Sequence, residues 1–325
     1  MTARPDPGVP AAYHGPGWSV RTRTHQDDVA HGEVWARTGA DSEWAPLRRV
    51  MLTLPDPRWS PPADWNAIQY LAPVAFGDLH RELSAYADLL AGCGVQIDVQ
   101  QAPADGPHYN AVFARDQFLA TYAGAVVARM ASTCRRGEER LISARLTAQG
   151  HPVLRTISGG CFEAADALWV RPGRLLIGQG RRTDAEGARQ VAAVARDLGA
   201  EATVVPVPSA VQHLLGIVQV VGPDLALLRK QHDPSGRIEA ALTASAIRVV
   251  EVPEHPEIVC GQAMNLVTLD ARTVVIPRDR PAMSQLLAAA GIEVHATVPA
   301  ESLIRCGGGL ACATGILLRD RAGAG

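Results

Sequence analysis

A closed ring of five ββαβ modules, an α/β propeller with five-fold pseudosymmetry, is the fold the sequence predicts, and three observations predict it. Segments with a common strand–turn–strand–helix–strand order start near positions 48, 111, 166, 214 and 265. The period of roughly 50 residues lies in the range where repeats signal a closed or solenoidal array. The two clearest helices carry apolar residues at three-to-four spacing and close on Leu-Gly or Ala-Gly, a helix stop. Short turn-forming segments join the strand pairs, as hairpins require. Such a ring puts helices outside and brings strand ends to a central pocket. An ordinary α/β domain with one mixed sheet is the other arrangement that periodicity allows.

Residues 1–44 read as an N-terminal extension, partly disordered, and 45–325 as a single domain. Met1 to Gly17 carries four prolines and three glycines with almost no apolar period, the composition of a poorly ordered tail. The first module runs from the strand Arg48 to Leu54 through a helix around Gly77 to Gly92 to the strand VQIDV. The second starts in AVFARDQFLATYAGAVVARM, read as a strand interrupted by Arg115-Asp116, and leads to a helix at Glu138 to Gln149. The third, Ala167 to Pro208, is the clearest: ALWV, RPG, RLLIG, the helical AEGARQVAAVARDLG, then ATVVPV. His213 to Leu228 opens the fourth, and Asn265 to Pro299 forms the fifth.

The bulk composition excludes several classes of function. Hydrophobic residues make up 47% and charged residues 20%, with a net charge of -2, so no electrostatic case exists for nucleic acid or an anionic membrane as partner. No run reaches the roughly 18 to 20 apolar residues of a membrane helix, and the start lacks the pattern of a secretory signal. Six cysteines are scattered without a C-x-x-C pair, which argues against a disulfide framework or a structural zinc site and for reduced thiols in a cytoplasm. No metal or cofactor is expected. A small molecule is the expected partner, with a homodimer left open.

Four residues could carry chemistry. Cys312 follows three glycines in Cys306-Gly-Gly-Gly-Leu-Ala-Cys, where backbone N–H groups could hold a thiolate; a small buried cysteine at a tight turn is the alternative. Cys306 is weaker, since it precedes the glycines at a strand end. Glu163 lies three residues before Asp166 at the mouth of an apolar strand, costly unless the acids meet a cation or hydrogen bonds. Asp116 beside Arg115 would alone read as an internal ion pair, and His213 alone as a packed or capping residue. Each, however, falls at or near the opening of a different repeat. In a ring those openings can converge on a thiolate nucleophile, a general acid/base and carboxylates for a cation. A planar guanidinium suits that set, because it pairs bidentately with carboxylates.

From about Leu47 to Asp320 these motifs resemble the guanidino-group-modifying superfamily, the penteins, which includes arginine deiminases, dimethylargininases and glycine amidinotransferases. NAVFARD (Asn110 to Asp116), RRGE (Arg135 to Glu138), EAAD with RRTDAEGARQ (Glu163 to Asp166, Arg181 to Gln190), QHL (Gln212 to Leu214) and GGGLACAT (Gly307 to Thr314) fall in family order. The resemblance implies Cys312 as nucleophile, His213 as general acid/base and Glu163 as the carboxylate that orients the guanidinium and shuttles protons. It implies Asp116 as second guanidinium-binding acid, with Arg135 and Arg182 holding a substrate carboxylate.

Departures from the family pattern are equally informative. The acid that deiminases and amidinotransferases carry two residues after the histidine is Leu215 here, and dimethylargininase acids are replaced by Asn110 and Arg115. A leucine facing the substrate predicts a preference for a guanidine substituted on its terminal nitrogen. The expected activity is hydrolysis of an arginine-like guanidine through a covalent thiouronium on Cys312. An amidinotransferase is the alternative, and a non-catalytic ring used as a binding module is the reading from another class.

Overall fold

The structure, a computed structural model, describes residues 8–101 and 108–323. Residues 1–7 of the expected tail lie outside the described residues. Before the ring, α1 (His25–His31) starts at Thr24, whose hydroxyl and Asp27 form a reciprocal capping box.

Five three-stranded sheets follow. The first module holds β1 (Leu47–Leu54), α2 (Phe76–Gly92) and β2 (Gln96–Gln101). The second has β3 (Phe118–Thr121), β4 (Gly124–Val127), α3 (Glu138–Ala148) and β5 (Val153–Thr156). The third has β6 (Ala167–Arg171), β7 (Arg174–Gln179), α4 (Ala185–Asp197) and β8 (Glu201–Pro206). The fourth has β9 (Val218–Gly222), β10 (Leu225–Leu228), α5 (Arg237–Ala244) and β11 (Arg248–Glu251), followed by the single turn α6 (Pro256–Val259). The fifth has β12 (Val267–Asp270), β13 (Thr273–Pro277), α7 (Pro281–Ala289) and β14 (Glu293–Val298). Two short helices, α8 (Glu301–Arg305) and α9 (Leu310–Ala313), lead into β15 (Gly315–Arg319).

One pairing rule holds throughout. In each of modules two to five the middle strand is antiparallel to the first and parallel to the third. The first module obeys the same rule only because β15 supplies its missing strand, antiparallel to β1. Here the sequence reading fell short, since GILLR belonged to no module in it. The ring is closed by strands from the two ends of the described chain.

Burial follows strand position. β3, β4, β9 and β10 are buried along their whole length, whereas β5 and β11 are largely exposed or half-buried. Unbroken Val/Leu runs are what strands covered on both faces require. The helices pack one apolar stripe inward, as in α2 through Leu79, Leu83, Tyr86 and Leu90.

The segments that open the modules differ from expectation. Residues 109–112 and 114–116 are 3-10 turns, so the strand read through NAVFARD begins only at Phe118. An equivalent turn at Leu214–Gly216 delays β9, whereas the turn at Ala164–Asp166 ends just before Ala167, the expected start of β6. Arg115 is not paired with Asp116. It reaches Glu43 at 2.9 Å, in the segment that precedes β1. Cys306 caps the C-terminal end of α8 rather than ending a strand.

Candidate active site

These opening turns place the chemistry. Glu163 and His213, 50 residues apart, occupy the same N-cap position of successive turns. Asp116 and Cys312 each stand three residues after the N-caps Phe113 and Gly309 of theirs. The register that repeats the fold thus brings side chains from different modules to one place. Asp166, three residues after Glu163, accepts from the Leu214 N–H at 2.8 Å and from the Thr183 hydroxyl at 2.7 Å. It thereby fixes the backbone next to His213.

The polar side of the site is a buried charge cluster. His213 Nε2 lies 2.8 Å from Glu163 Oε2, and its Nδ1 3.9 Å from Asp116 Oδ1. Burial pulls the imidazole pKa down, but Asp116, Glu163 and Asp166 outweigh it and raise the value to about 9. Burial pushes Glu163 up, yet Arg135, His213 and Arg182 together hold it well below the usual carboxylate range. Burial dominates at Asp166 and lifts it to about 6.

Arg135, expected at a substrate carboxylate, is instead engaged by the protein's own acids. Its Nη1 donates to Asp116 Oδ2 at 2.6 Å and to Glu163 Oε2 at 3.4 Å. Its Nε and Nη2 grip Glu138 at 3.0 and 2.8 Å. Three buried acids need a counter-charge, because an unpaired buried ion is far more costly than a paired one. Arg182 is less committed: it touches Glu163 at 3.3 Å and Gln69 Oε1 at 3.2 Å. Asn110 donates to the Ile68 carbonyl at 2.8 Å and so ties the Gln69 segment over the site. Ligand atoms of Asp116, Glu163 and His213 lie within 4.8 Å of one another. A metal ion there would face the Arg135 guanidinium, so the set suits an organic cation able to share Asp116. The Oδ1 atom of Asp116 is buried with no hydrogen-bond partner among the described residues.

Cys312 is half-buried and held by Asn265 in a two-point contact. The Asn265 amide donates to Sγ at 3.0 Å, and the Cys312 N–H donates to Asn265 Oδ1 at 3.0 Å. The preceding glycines are steric necessities: a Cβ on Gly308 would lie 2.4 Å from the Phe113 ring, and one on Gly309 2.6 Å from Asn265 Cβ. Burial and the Asp116 charge push the thiol up to about 11, against the pull of the Asn265 amide and the Gly309 backbone.

Two cavities meet at this thiol. One, of about 20 Å³, is polar and includes Gln69, Asn110, Asp116, Arg135 and Arg182. The other, of about 240 Å³, includes His213, Leu215 and Asn265. All eight residues singled out from sequence therefore adjoin this centre: Glu163 touches His213, Arg135 and Arg182, and the other seven line one cavity or the other. Missed were Asn265 and Gln69, while Asp166 and Glu138 stood in the EAAD and RRGE motifs without a role of their own. Asn265 carried a signal, since it opens the fifth repeat as the others open theirs.

The chain is similar to known proteins in sequence and in fold. A family model described as arginine deiminase matches residues 105–214, which contain Asp116, Glu163 and His213. The N(G),N(G)-dimethylarginine dimethylaminohydrolase of Pseudomonas aeruginosa is 26% identical over 231 residues, 70% of this chain and 84% of that protein. The Pseudomonas aeruginosa enzyme solved as a cysteine-to-serine mutant with citrulline superposes with a TM-score of 0.67 at 22% identity, covering 84% of this chain and 100% of that one. An amidinotransferase of saxitoxin biosynthesis from Microseira wollei gives 0.70 at 16% identity, over 88% and 98%. The N-terminal domain of a cyanobacterial arginine dihydrolase gives 0.66 at 20%, over 84% and 98%. The chain thus shares the five-module ring of these structures and is similar in sequence to proteins of the guanidino-group-modifying, or pentein, superfamily.

Proposed function

We propose that this chain is a cysteine-dependent hydrolase of an arginine-like guanidine. The observation that carries the reading is the buried, unpartnered Oδ1 of Asp116 in the cluster where His213 is held by Glu163, with Asp116 and the Cys312 thiol lining one cavity. A guanidinium N–H that donates to Asp116 satisfies that oxygen and offsets the Asp116 charge, which adds to burial in raising the thiol pKa. Cys312 then gives up its proton to solvent as the substrate binds, and the thiolate sulfur attacks the guanidinium carbon. His213, protonated at neutral pH by its acidic neighbours, donates a proton to the departing nitrogen as the C–N bond breaks. An amine leaves and a thiouronium remains on Cys312. His213, now neutral, takes a proton from water; the hydroxide adds to carbon, the C–S bond breaks, and a ureido product leaves with the thiolate restored.

An amidinotransferase differs only in that an amine replaces this water, and the 240 Å³ cavity beside Cys312 has room for one. The test is incubation with arginine, methylated arginines and simple guanidines, with and without amine acceptors, and product identification by mass. Ureido products and a quenched adduct on the Cys312 peptide support hydrolysis. Amidino transfer to the added amine supports the second reading. No turnover and no adduct with any guanidine sinks both and leaves a binding ring.

A further inference from the structure

The two cavities at Cys312 differ in kind, and the difference bears on what the guanidine carries. The smaller one contains the acid Asp116 and the cations Arg135 and Arg182. The larger one contains none of these, and no Asp or Glu lines it among the described residues. Its apolar lining is Leu71, Val211, Leu215, Ile258, Val259 and Met264, set beside the polar Gln212, Gln262 and Asn265, and it reaches both His213 and Cys312. Besides His213, whose charge is met by Glu163, the described cation on its lining is Arg229, which Glu254 neutralises at 2.8 and 2.7 Å. Leu71 and Val259 are 68% and 50% exposed, and large apolar side chains left in water beside a cavity mark a surface awaiting an apolar group.

We propose that the larger cavity is the leaving-group pocket of the site, and that the substrate is a guanidine whose terminal nitrogen carries an apolar alkyl or arylalkyl group larger than methyl. The inference rests on the hydrolase reading above and deepens it. The pocket lies on the side of His213, the group that protonates the departing nitrogen, while the guanidinium-binding acid Asp116 faces the other cavity. An apolar cavity of roughly 150 Å³ is enough to bind benzene, so about 240 Å³ holds a ring and its linking carbon. The absence of lining carboxylates disfavours a cationic substituent, and the bulk of Leu215 supplies contact where an acid would have paired with an unsubstituted amino group. An acceptor amine in a transfer reaction would enter by the place the leaving amine vacates.

Steady-state kinetics on the full chain test this with arginine and its Nω-methyl, Nω-propyl and Nω-benzyl derivatives, with the released amine identified by mass. The expected kcat/KM rises by about fourfold for each methylene buried from methyl to propyl. Benzylarginine does at least as well as propyl and releases benzylamine. Val259→Asp, at an exposed rim position, lowers the benzyl-to-arginine ratio at least tenfold. Turnover of arginine and methylarginine with rejection of the propyl and benzyl compounds overturns the pocket while leaving the hydrolase reading intact. So does a benzyl group retained on the ureido product, or a ratio untouched by Val259→Asp. Failure of every compound, with no adduct on Cys312, overturns the hydrolase reading itself.

Discussion

The third and fourth modules open on turns of the same length in the same register, yet one presents Glu163 and Asp166 where the other presents His213 and Gly216. In the third module both polar positions are used: Glu163 meets the imidazole, and Asp166 caps the next turn. In the fourth, His213 points at its neighbours' acids, and the position equivalent to Asp166 has no side chain at all. The scaffold therefore repeats two locations, the N-cap and the third residue after it: the first receives a carboxylate or an imidazole in these two modules, the second a carboxylate, a thiol or no side chain around the ring. Substitutions at equivalent positions should have effects set by side-chain chemistry rather than by place.

The largest effect is expected at Cys312, the position equivalent to Asp116 and Asp166. Cys312→Ser abolishes turnover, whereas Cys306→Ser keeps most of it, because the Cys306 thiol is buried and pushed up to about 12. Equal losses in initial-rate assays would break the distinction. His213→Ala comes next, with kcat lower by about 10² to 10⁴ and adduct accumulating if water activation becomes the slower step. Near-normal kcat would make His213 a packed residue only.

Asn265→Ala is expected to cost about tenfold or more in kcat, since one charge-assisted hydrogen bond to the thiolate is worth about 1.5–3 kcal/mol. Iodoacetamide alkylation of Cys312 followed against pH separates this from general loosening. The wild-type thiol reacts slowly near neutrality and faster as pH approaches its value of about 11. Asn265→Ala moves that rise to higher pH, and an unmoved profile would deny Asn265 any influence on ionisation.

The smallest effect concerns stability. His213 has a folded pKa of about 9 against 6.5 unperturbed, so its contribution is complete below 6.5 and lost as pH rises through 9. Asp166, at about 6 against 3.8, favours the folded state most when protonated, and that contribution is lost as pH rises through 6. Both make Tm fall from weakly acidic to alkaline pH, by a few degrees in a scanning fluorescence series. Asp166→Asn should flatten the limb between 4 and 6, and His213→Ala the limb between 6.5 and 9. A Tm that rises from pH 5 to 9 would contradict both assignments.

Much of this architecture could be read from the amino-acid string because its signals are local. The α4 stripe, its Leu-Gly stop and the Pro172-Gly173 hairpin turn each lie within a few residues. β15 could not be assigned, since its meaning rests on a partner at the other end of the described chain. The opening turns were misread because apolar residues before a strand look like the strand itself; only backbone hydrogen bonds such as Gln117 N–H to the Ala114 carbonyl separate them. In the site, Cys312, His213, Glu163 and Asp116 stood out by their shared place in the repeat. Arg135 did not reveal its use, because pairing with Asp116, Glu138 and Glu163 depends on contacts between modules that no local pattern encodes.

The closure of the ring by β15 on β1 has a temporal side. Leu47 faces Arg319 across that ladder, so the last seam joins residues that are remote along the chain, a contact whose loop-closure entropy must be met before it stabilises anything. Cys312 lies only three residues before that strand. A chain still emerging from the ribosome can fold the modules that carry Asp116, Glu163 and His213, yet it holds no nucleophile among them. Under the proposed function, the thiol of Cys312 arrives with the strand that completes the circle, so assembly and chemical competence would be reached in the same step.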